Sequence, residues 1–227
     1  IQLDLTFLLV LPLFAWIIGT QVEQTAGLLN ESLGAGLDPT LLTAGSLVWV
    51  LGIVAAVGLF TGVVLHELGH SLVAIRYGFP IESITLWLFG GVAQLTEMPE
   101  DWKQELAIAV AGPIVSVGLG VLSYAAFFVL PGTESTIVES ARFVFAYLAL
   151  MNVALAIFNM LPGFPMDGGR VLRALLARTR PYARATKIAA EVGKVFAIMV
   201  GLFGLFVAGN SFLAGLAFFS YIGAAGE

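Results

Sequence analysis

His66-Glu67-Leu68-Gly69-His70 closes an uncharged apolar run that extends from Leu41 to Leu65. A run of that length reads as a membrane helix. Continued through the motif, the helix puts His66 and His70 one turn apart on one face, where two imidazoles can grip a single metal ion. Glu67 then stands beside them as a candidate general base. The chain has only two histidines, and both are in this stretch. Two imidazoles and a carboxylate at the end of an apolar run are costly unless they have a task. The competing reading is a pair of interfacial histidines that face lipid headgroups.

The composition agrees with a membrane protein. Hydrophobic residues make up 59% of the 227 and charged residues 11%, whereas soluble domains run to about 45–50% and about 25%. With zero cysteines the chain has no disulfide, thiolate ligand or thiol nucleophile. A net charge of −5 offers no basic footprint for nucleic acid. No cleavable signal-peptide pattern is visible, and Ile1 rather than Met stands first, which leaves room for residues upstream.

Outward from the motif, Ile1 to Phe7 alternates apolar with polar residues and reads as a short strand, followed by a first span over about 7–19. Residues 20–40 form a polar loop with Glu23, Glu31 and Asp38. Pro39-Thr40 can open the second helix, which runs to Gly78-Phe79-Pro80 and is too long to lie wholly within a bilayer about 30 Å thick. It must tilt, kink or project. Ile84, Leu86 and Leu88 alternate with Thr85, Trp87 and Phe89 before Gly90-Gly91 and Val92, so 81–98 reads as a β-hairpin or re-entrant loop. A plain interfacial loop is the alternative. After the polar boundary Asp101–Glu105, a third span covers about 106–130, with a kink or break expected at Gly112-Pro113. A fourth covers about 143–161 and bears Asn152 and Asn159. Pro162-Gly163-Phe164-Pro165-Met166-Asp167-Gly168-Gly169-Arg170 and a basic cluster come next. Two apolar runs at about 192–208 and 211–223 form a helical hairpin, and Lys187, Glu191 and Lys194 stand at spacings that pair their charges. The expected fold is an all-α polytopic membrane protein of about six transmembrane helices, with a small β-hairpin or sheet element at the cytoplasmic side. One domain is expected over 1–227, with a core at 41–177 and the C-terminal hairpin at 186–224.

Six spans put both termini on one side, and the basic residues say which. Arg170, Arg173, Arg178, Arg180, Arg184 and Lys187 are clustered in one loop, whereas 20–40 has no Lys or Arg. By the positive-inside rule the loops at 170–187 and 76–105 are cytoplasmic. The His-Glu motif and Asp167 then fall toward the same membrane face.

A catalytic zinc usually takes three protein ligands and one water. No third histidine and no cysteine exists, so the third ligand should be a carboxylate. The helix turns Glu67 away from the shared target of the imidazoles. Most other acids sit in polar loops or beside basic partners. Asp167 follows an apolar helix and is framed by prolines and glycines. Its competing role is to cap a helix that starts near Gly168, and Glu82 or Glu97 would be the next acids to consider.

Taken together, His66-Glu67-Leu68-Gly69-His70 with Ala74, Ala111-Gly112-Pro113, and Asn159-x-x-Pro162-x-x-Pro165-x-Asp167-Gly168-Gly169-Arg170 resemble the site-2 protease family of intramembrane zinc metalloproteases. The resemblance implies one Zn2+ held by His66, His70 and Asp167, with Glu67 activating the water. It also likens Leu88 to Val92 to a Gly-rich hairpin near the active site, which makes Gly90, Gly91, Val92 and Asn159 candidate substrate-binding residues. Two departures are visible. Met166 stands where the family often has Leu, and Ser116 stands where it often has Asn, and neither is expected to touch a ligand.

The resemblance further implies hydrolysis of peptide bonds in or near transmembrane segments of membrane-anchored regulators. The partners would be a membrane-protein substrate and the lipid bilayer, and the expected location is a prokaryotic cell membrane with a cytoplasmic active-site opening. A helical substrate hides its carbonyls in i→i−4 bonds and must unwind first. It could then add as a strand to the Gly90-Gly91 hairpin. Asn159 could bond that backbone or the oxyanion, or merely join helices. Two other classes compete. A metal transporter should carry more polar residues along a continuous path through its spans. A catalytically inactive scaffold of the same fold would have no need of Glu67.

Overall fold

The computed structural model describes the backbone of residues 2–3, 5–87, 90–95, 101–206, 209 and 211–226, and the side chains of 10–80, 101–206, 209 and 215–226. The expected strand at 1–7 shrinks to β1 (Gln2–Leu3), and helix α1 (Leu5–Thr20) begins at once. The polar loop expected at 20–40 contains a helix, α2 (Val22–Leu33), which buries Val22, Ala26 and Leu29. Those three positions repeat at helical spacing, so the signal was in the sequence. Gly34, in the left-handed region at φ 62°, ends α2.

The long second helix is two helices. Pro39 opens only a four-residue helix, α3 (Pro39–Leu42), capped by Asp38, whose Oδ1 accepts the Thr40 N–H at 2.9 Å. The hydrogen bonds from Thr40 hold the Asp38 carboxyl below its usual value. Gly45, at φ 57°, then turns the chain into α4 (Leu47–Arg76). The break shortens the helix, but the 30 residues of α4 still span about 45 Å and must tilt or project. Strands β2 (Ile81–Trp87) and β3 (Gly90–Leu95) follow, in a sheet of order β1-β2-β3. The β1–β2 pairing is parallel, with Gln2 opposite Thr85. The turn expected between β2 and β3, at 88–89, lies outside the described residues. Helix α5 (Trp102–Val129) passes Pro113 without interruption, so the break expected there is absent, and α6 (Thr136–Asn159) starts earlier than the apolar run does. The basic cluster is itself structured: α7 (Asp167–Ala177) precedes α8 (Tyr182–Phe206) and α9 (Ser211–Ala225).

The chain divides into two compact units, one of residues 1–68, 82–94 and 114–155, the other of 69–81, 95–113 and 156–227. In the first, Ala15, Val22, Leu29, Leu42, Ala55 and Phe143 belong to one buried cluster. Close approach of its helices relies on small residues. A Cβ at Gly52 would land on the Ala15 carbonyl oxygen, and one at Gly62 would sit 2.7 Å from Asn152 Oδ1. Its chain is also tied by charge: Glu139 accepts from the Asp38 N–H at 2.8 Å and from Arg142 Nη1 at 2.8 Å, while Arg142 Nη2 donates to the Ala35 carbonyl. In the second unit, Phe164 of the Pro-rich turn packs with Ala189 of α8 and Ala224 of α9. Of the charges expected to pair on α8, Lys194 meets Glu191 at 3.4 Å on an exposed face.

Among the described residues, four helices, α4, α5, α6 and α8, are long and apolar enough to cross a membrane. Shorter apolar helical segments lie at Val10–Thr20 and Gly215–Ala225. Large apolar side chains are exposed along the long helices, Leu72 at 66%, Leu122 at 68% and Ile157 at 63% among them. An exterior of that kind is stable against hydrocarbon rather than water.

Candidate metal centre

Both histidines belong to the unbroken helix α4, so their i, i+4 spacing sets them on one face. They are 3% and 5% exposed, and each ring is held at Nδ1. His66 Nδ1 lies 2.8 Å from Ser116 Oγ on α5. His70 Nδ1 lies 2.7 Å from the Ile108 carbonyl, also on α5. A carbonyl only accepts, so His70 Nδ1 carries a proton, and in the neutral ring Nε2 is the nitrogen that can serve as a ligand. Metal-binding imidazoles are oriented in this way by an acceptor behind the ring.

Asp167 is 8% exposed, and its Oδ2 lies 3.1 Å from His70 Nε2. Helix α7 begins with Asp167 itself, after Met166 at the N-cap position, one residue earlier than a capping role would require. The two glycines that follow have a specific use. A Cβ at Gly168 would land on the Leu161 carbonyl oxygen, and one at Gly169 would stand 2.8 Å from the Phe164 nitrogen. The first turn of α7 therefore rests directly on the backbone of the Pro-rich turn. Gly193 and Gly223 let α8 and α9 approach the same turn, where added Cβ atoms would stand 3.1 Å from Gly163 Cα and 2.6 Å from Pro165 Cδ.

One ligand atom each from His66, His70 and Asp167 can be chosen so that all lie within 4.8 Å of one another. Two imidazole nitrogens and a carboxylate oxygen are the donor set of a three-ligand zinc site. Ligands at about 2.0–2.1 Å on a tetrahedron stand about 3.3 Å apart, close to the 3.1 Å between His70 Nε2 and Asp167 Oδ2. His70 Nε2 and Asp167 Oδ2 face each other in a buried place, an ion pair when the ring is protonated and two ligand atoms when it is neutral, and the residues fit a divalent metal ion.

Of the other residues named from sequence, Glu67 is half-buried on α4 and Asn159 is half-buried at the end of α6. Gly90, Gly91 and Val92 open β3, and their side-chain surroundings lie outside the described residues, as do those of Glu82 and Glu97. Sequence reasoning went wrong at Ser116. As a departure from the family pattern it is expected to touch no ligand, yet its hydroxyl is the Nδ1 partner of His66. The Ile108 carbonyl was not foreseen at all, because a backbone acceptor leaves no mark on residue identity.

The model of peptidase family M50 matches residues 54–142 and 133–200. A zinc metalloprotease of Methanocaldococcus jannaschii is 43% identical over 171 residues, which is 74% of this chain and 48% of that protein. Stage IV sporulation protein FB of Bacillus subtilis is 29% identical over 169 residues, 69% of this chain and 56% of its own. The chain spans about half the length of the curated relatives it matches. Among solved structures, the site-2 protease from Methanocaldococcus jannaschii superposes with a TM-score of 0.62 at 36% identity, covering 94% of this chain and 87% of that one. The matched segments contain both histidines and Asp167, the residues that could hold a metal ion, and the chain belongs to peptidase family M50, the site-2 proteases.

Proposed function

We propose that the chain is an intramembrane zinc metalloprotease that hydrolyses peptide bonds in or near the transmembrane segments of membrane-anchored proteins. The observation that carries this reading is the buried His66–His70–Asp167 donor set, built in part on a helix of membrane-spanning length. Zinc bound there would supply Lewis-acid polarisation of the scissile carbonyl and a water of lowered pKa. Glu67, next to His66 in the chain, accepts a proton from the attacking water at its carboxylate and passes it to the leaving amine nitrogen. Asn159 donates its side-chain amide to the substrate backbone or the developing oxyanion.

The substrate helix unwinds before cleavage, and β3 is the sheet edge to which the extended segment adds. Six segments cross the bilayer, the four long helices and the two shorter apolar ones, with both termini, the sheet and the active-site opening on the cytoplasmic side of a prokaryotic membrane. The chain works as a single domain, since α4, α5 and α6 each run through both compact units. A transporter is disfavoured because each of the four spans has an 18-residue apolar stretch with at most two charged residues, and a scaffold by the presence of Glu67.

The test is Glu67→Gln, assayed in detergent on a transmembrane substrate with and without a zinc chelator. The variant should keep about one zinc per chain and cleave at least about 10²-fold more slowly, and the chelator should abolish wild-type cleavage. Near-normal cleavage by Glu67→Gln would sink the mechanism. Chelator-insensitive cleavage would remove the metal from it.

A further inference from the structure

The buried charges of α5 and α7 form a second constellation, in the same compact unit as His70 and Asp167. Glu105 is 1% exposed and Arg173 is 2% exposed, and Arg173 Nε donates to Glu105 Oε1 at 2.7 Å. The guanidinium stacks between two rings, its Cζ 5.1 Å from the centroid of Phe164 and 5.2 Å from that of Tyr182. Tyr182 completes the group with its hydroxyl 3.4 Å from Glu105 Oε1. Four segments converge on one side chain: α5, α7, the Pro-rich turn and the start of α8.

Two of these segments hold the metal ligands. Ile108, whose carbonyl fixes His70, comes one turn after Glu105 on α5. Asp167 comes six residues before Arg173 on α7, a rise of about 9 Å. His70 sits between the two helices, Nδ1 on the Ile108 carbonyl and Nε2 facing Asp167. The distance from α5 to α7 must therefore match the width of one imidazole ring. A buried pair of full charges is an expensive way to hold two helices together, and an apolar contact of the same volume is often as stable. What the ion pair adds is a fixed direction: Nε–H is held in the plane of a guanidinium that also lies against Phe164 and Tyr182, a geometry that a lysine would not supply.

We propose that Glu105 and Arg173 are positioning residues for the metal centre: their ion pair sets the α5–α7 spacing at which His70 and Asp167 present their ligand atoms to one ion. Neither residue touches the metal or the substrate. This inference rests on the metal-site assignment, so the wild-type protein is measured first.

The experiment uses the full chain in detergent and reads zinc affinity by competition with a chromogenic chelator, alongside the melting temperature of the metal-free protein. Arg173→Met and Arg173→Lys should each weaken zinc by about 10-fold or more, the scale on which partners behind a ligand act. Glu105→Gln should do the same. The double variant Glu105→Gln with Arg173→Met should weaken zinc no more than Arg173→Met alone, because the pair acts as a unit. If Arg173→Met does not fold, Arg173→Lys and Glu105→Gln carry the reading. Lower melting temperatures with unchanged zinc affinity would mean that the pair is only a structural prop and would overturn the proposal. Additive losses in the double variant would overturn the pairing. A wild-type chain that binds no zinc would instead overturn the metal centre on which the inference stands.

Discussion

Asp167 is where the chemistry of a single residue can be separated from its structural role. As a ligand it supplies the only carboxylate oxygen in the donor set. As a helix residue it stands first in α7 and is not the N-cap. Asp167→Ala should therefore cost more zinc affinity than the 10–100-fold typical for the loss of an outer partner, and activity should fall with it. Loss of a cap would cost about 1 kcal/mol of stability and leave the metal alone. Zinc titration and thermal melting of the same variant decide between the two, and unchanged zinc affinity would refute the ligand assignment. At this scale the two histidines and the aspartate were legible because so few residue types can bind zinc in a chain without cysteine. Ser116 was not. It lies 50 residues from His66 in sequence, and only the crossing of α4 and α5 makes the hydroxyl a partner.

For whole elements, apolar length revealed the long helices and concealed the short ones. α2 was hidden among polar residues, and α3 was merged with α4 because the break at Gly45 depends on a positive φ. α7 enters the sequence reading only as a possible helix starting near Gly168 beside a basic cluster, although Asp167, Gly168, Gly169, Arg173 and Ala174 form its buried side. A glycine pair inside a helix costs stability, so its retention marks a close approach. Gly168→Ala tests that claim. Its Cβ would meet the backbone of residues 160–161, which cannot swing away as a side chain would. The substitution should destabilise the protein by about 1–3 kcal/mol through overpacking, and it should also weaken zinc because Asp167 is the preceding residue. Gly118→Ala on α5 is the control, since its added Cβ meets nothing within 4 Å. That change should be neutral or stabilise by up to about 1 kcal/mol. Equal effects of the two substitutions, measured by melting in detergent, would show that the approach of α7 to the turn does not matter.

At the scale of the whole molecule, the composition already announced a protein with apolar exposed faces, and the long helices bear that out. Its orientation rests on charge alone. Arg178, Arg180, Arg184 and Lys187 are exposed around the start of α8, whereas the segment before α6 exposes Glu134. Clustered Lys and Arg in a short loop set the cytoplasmic side, whereas acidic residues contribute little, and this is the positive-inside rule. Between Glu134 and Thr179 the chain contains one helix of spanning length, α6, so the expected outcome is that the two positions lie on opposite faces. The absence of native cysteine makes this directly measurable. Glu134→Cys and Thr179→Cys, each at an exposed position, give proteins with a single thiol. In intact cells a membrane-impermeant maleimide should label Cys at 134 and should label Cys at 179 only after permeabilisation. The reverse pattern would put the metal centre's end of α6 on the outer face and overturn the cytoplasmic opening, while labelling of both from outside would mean that α6 does not cross the membrane.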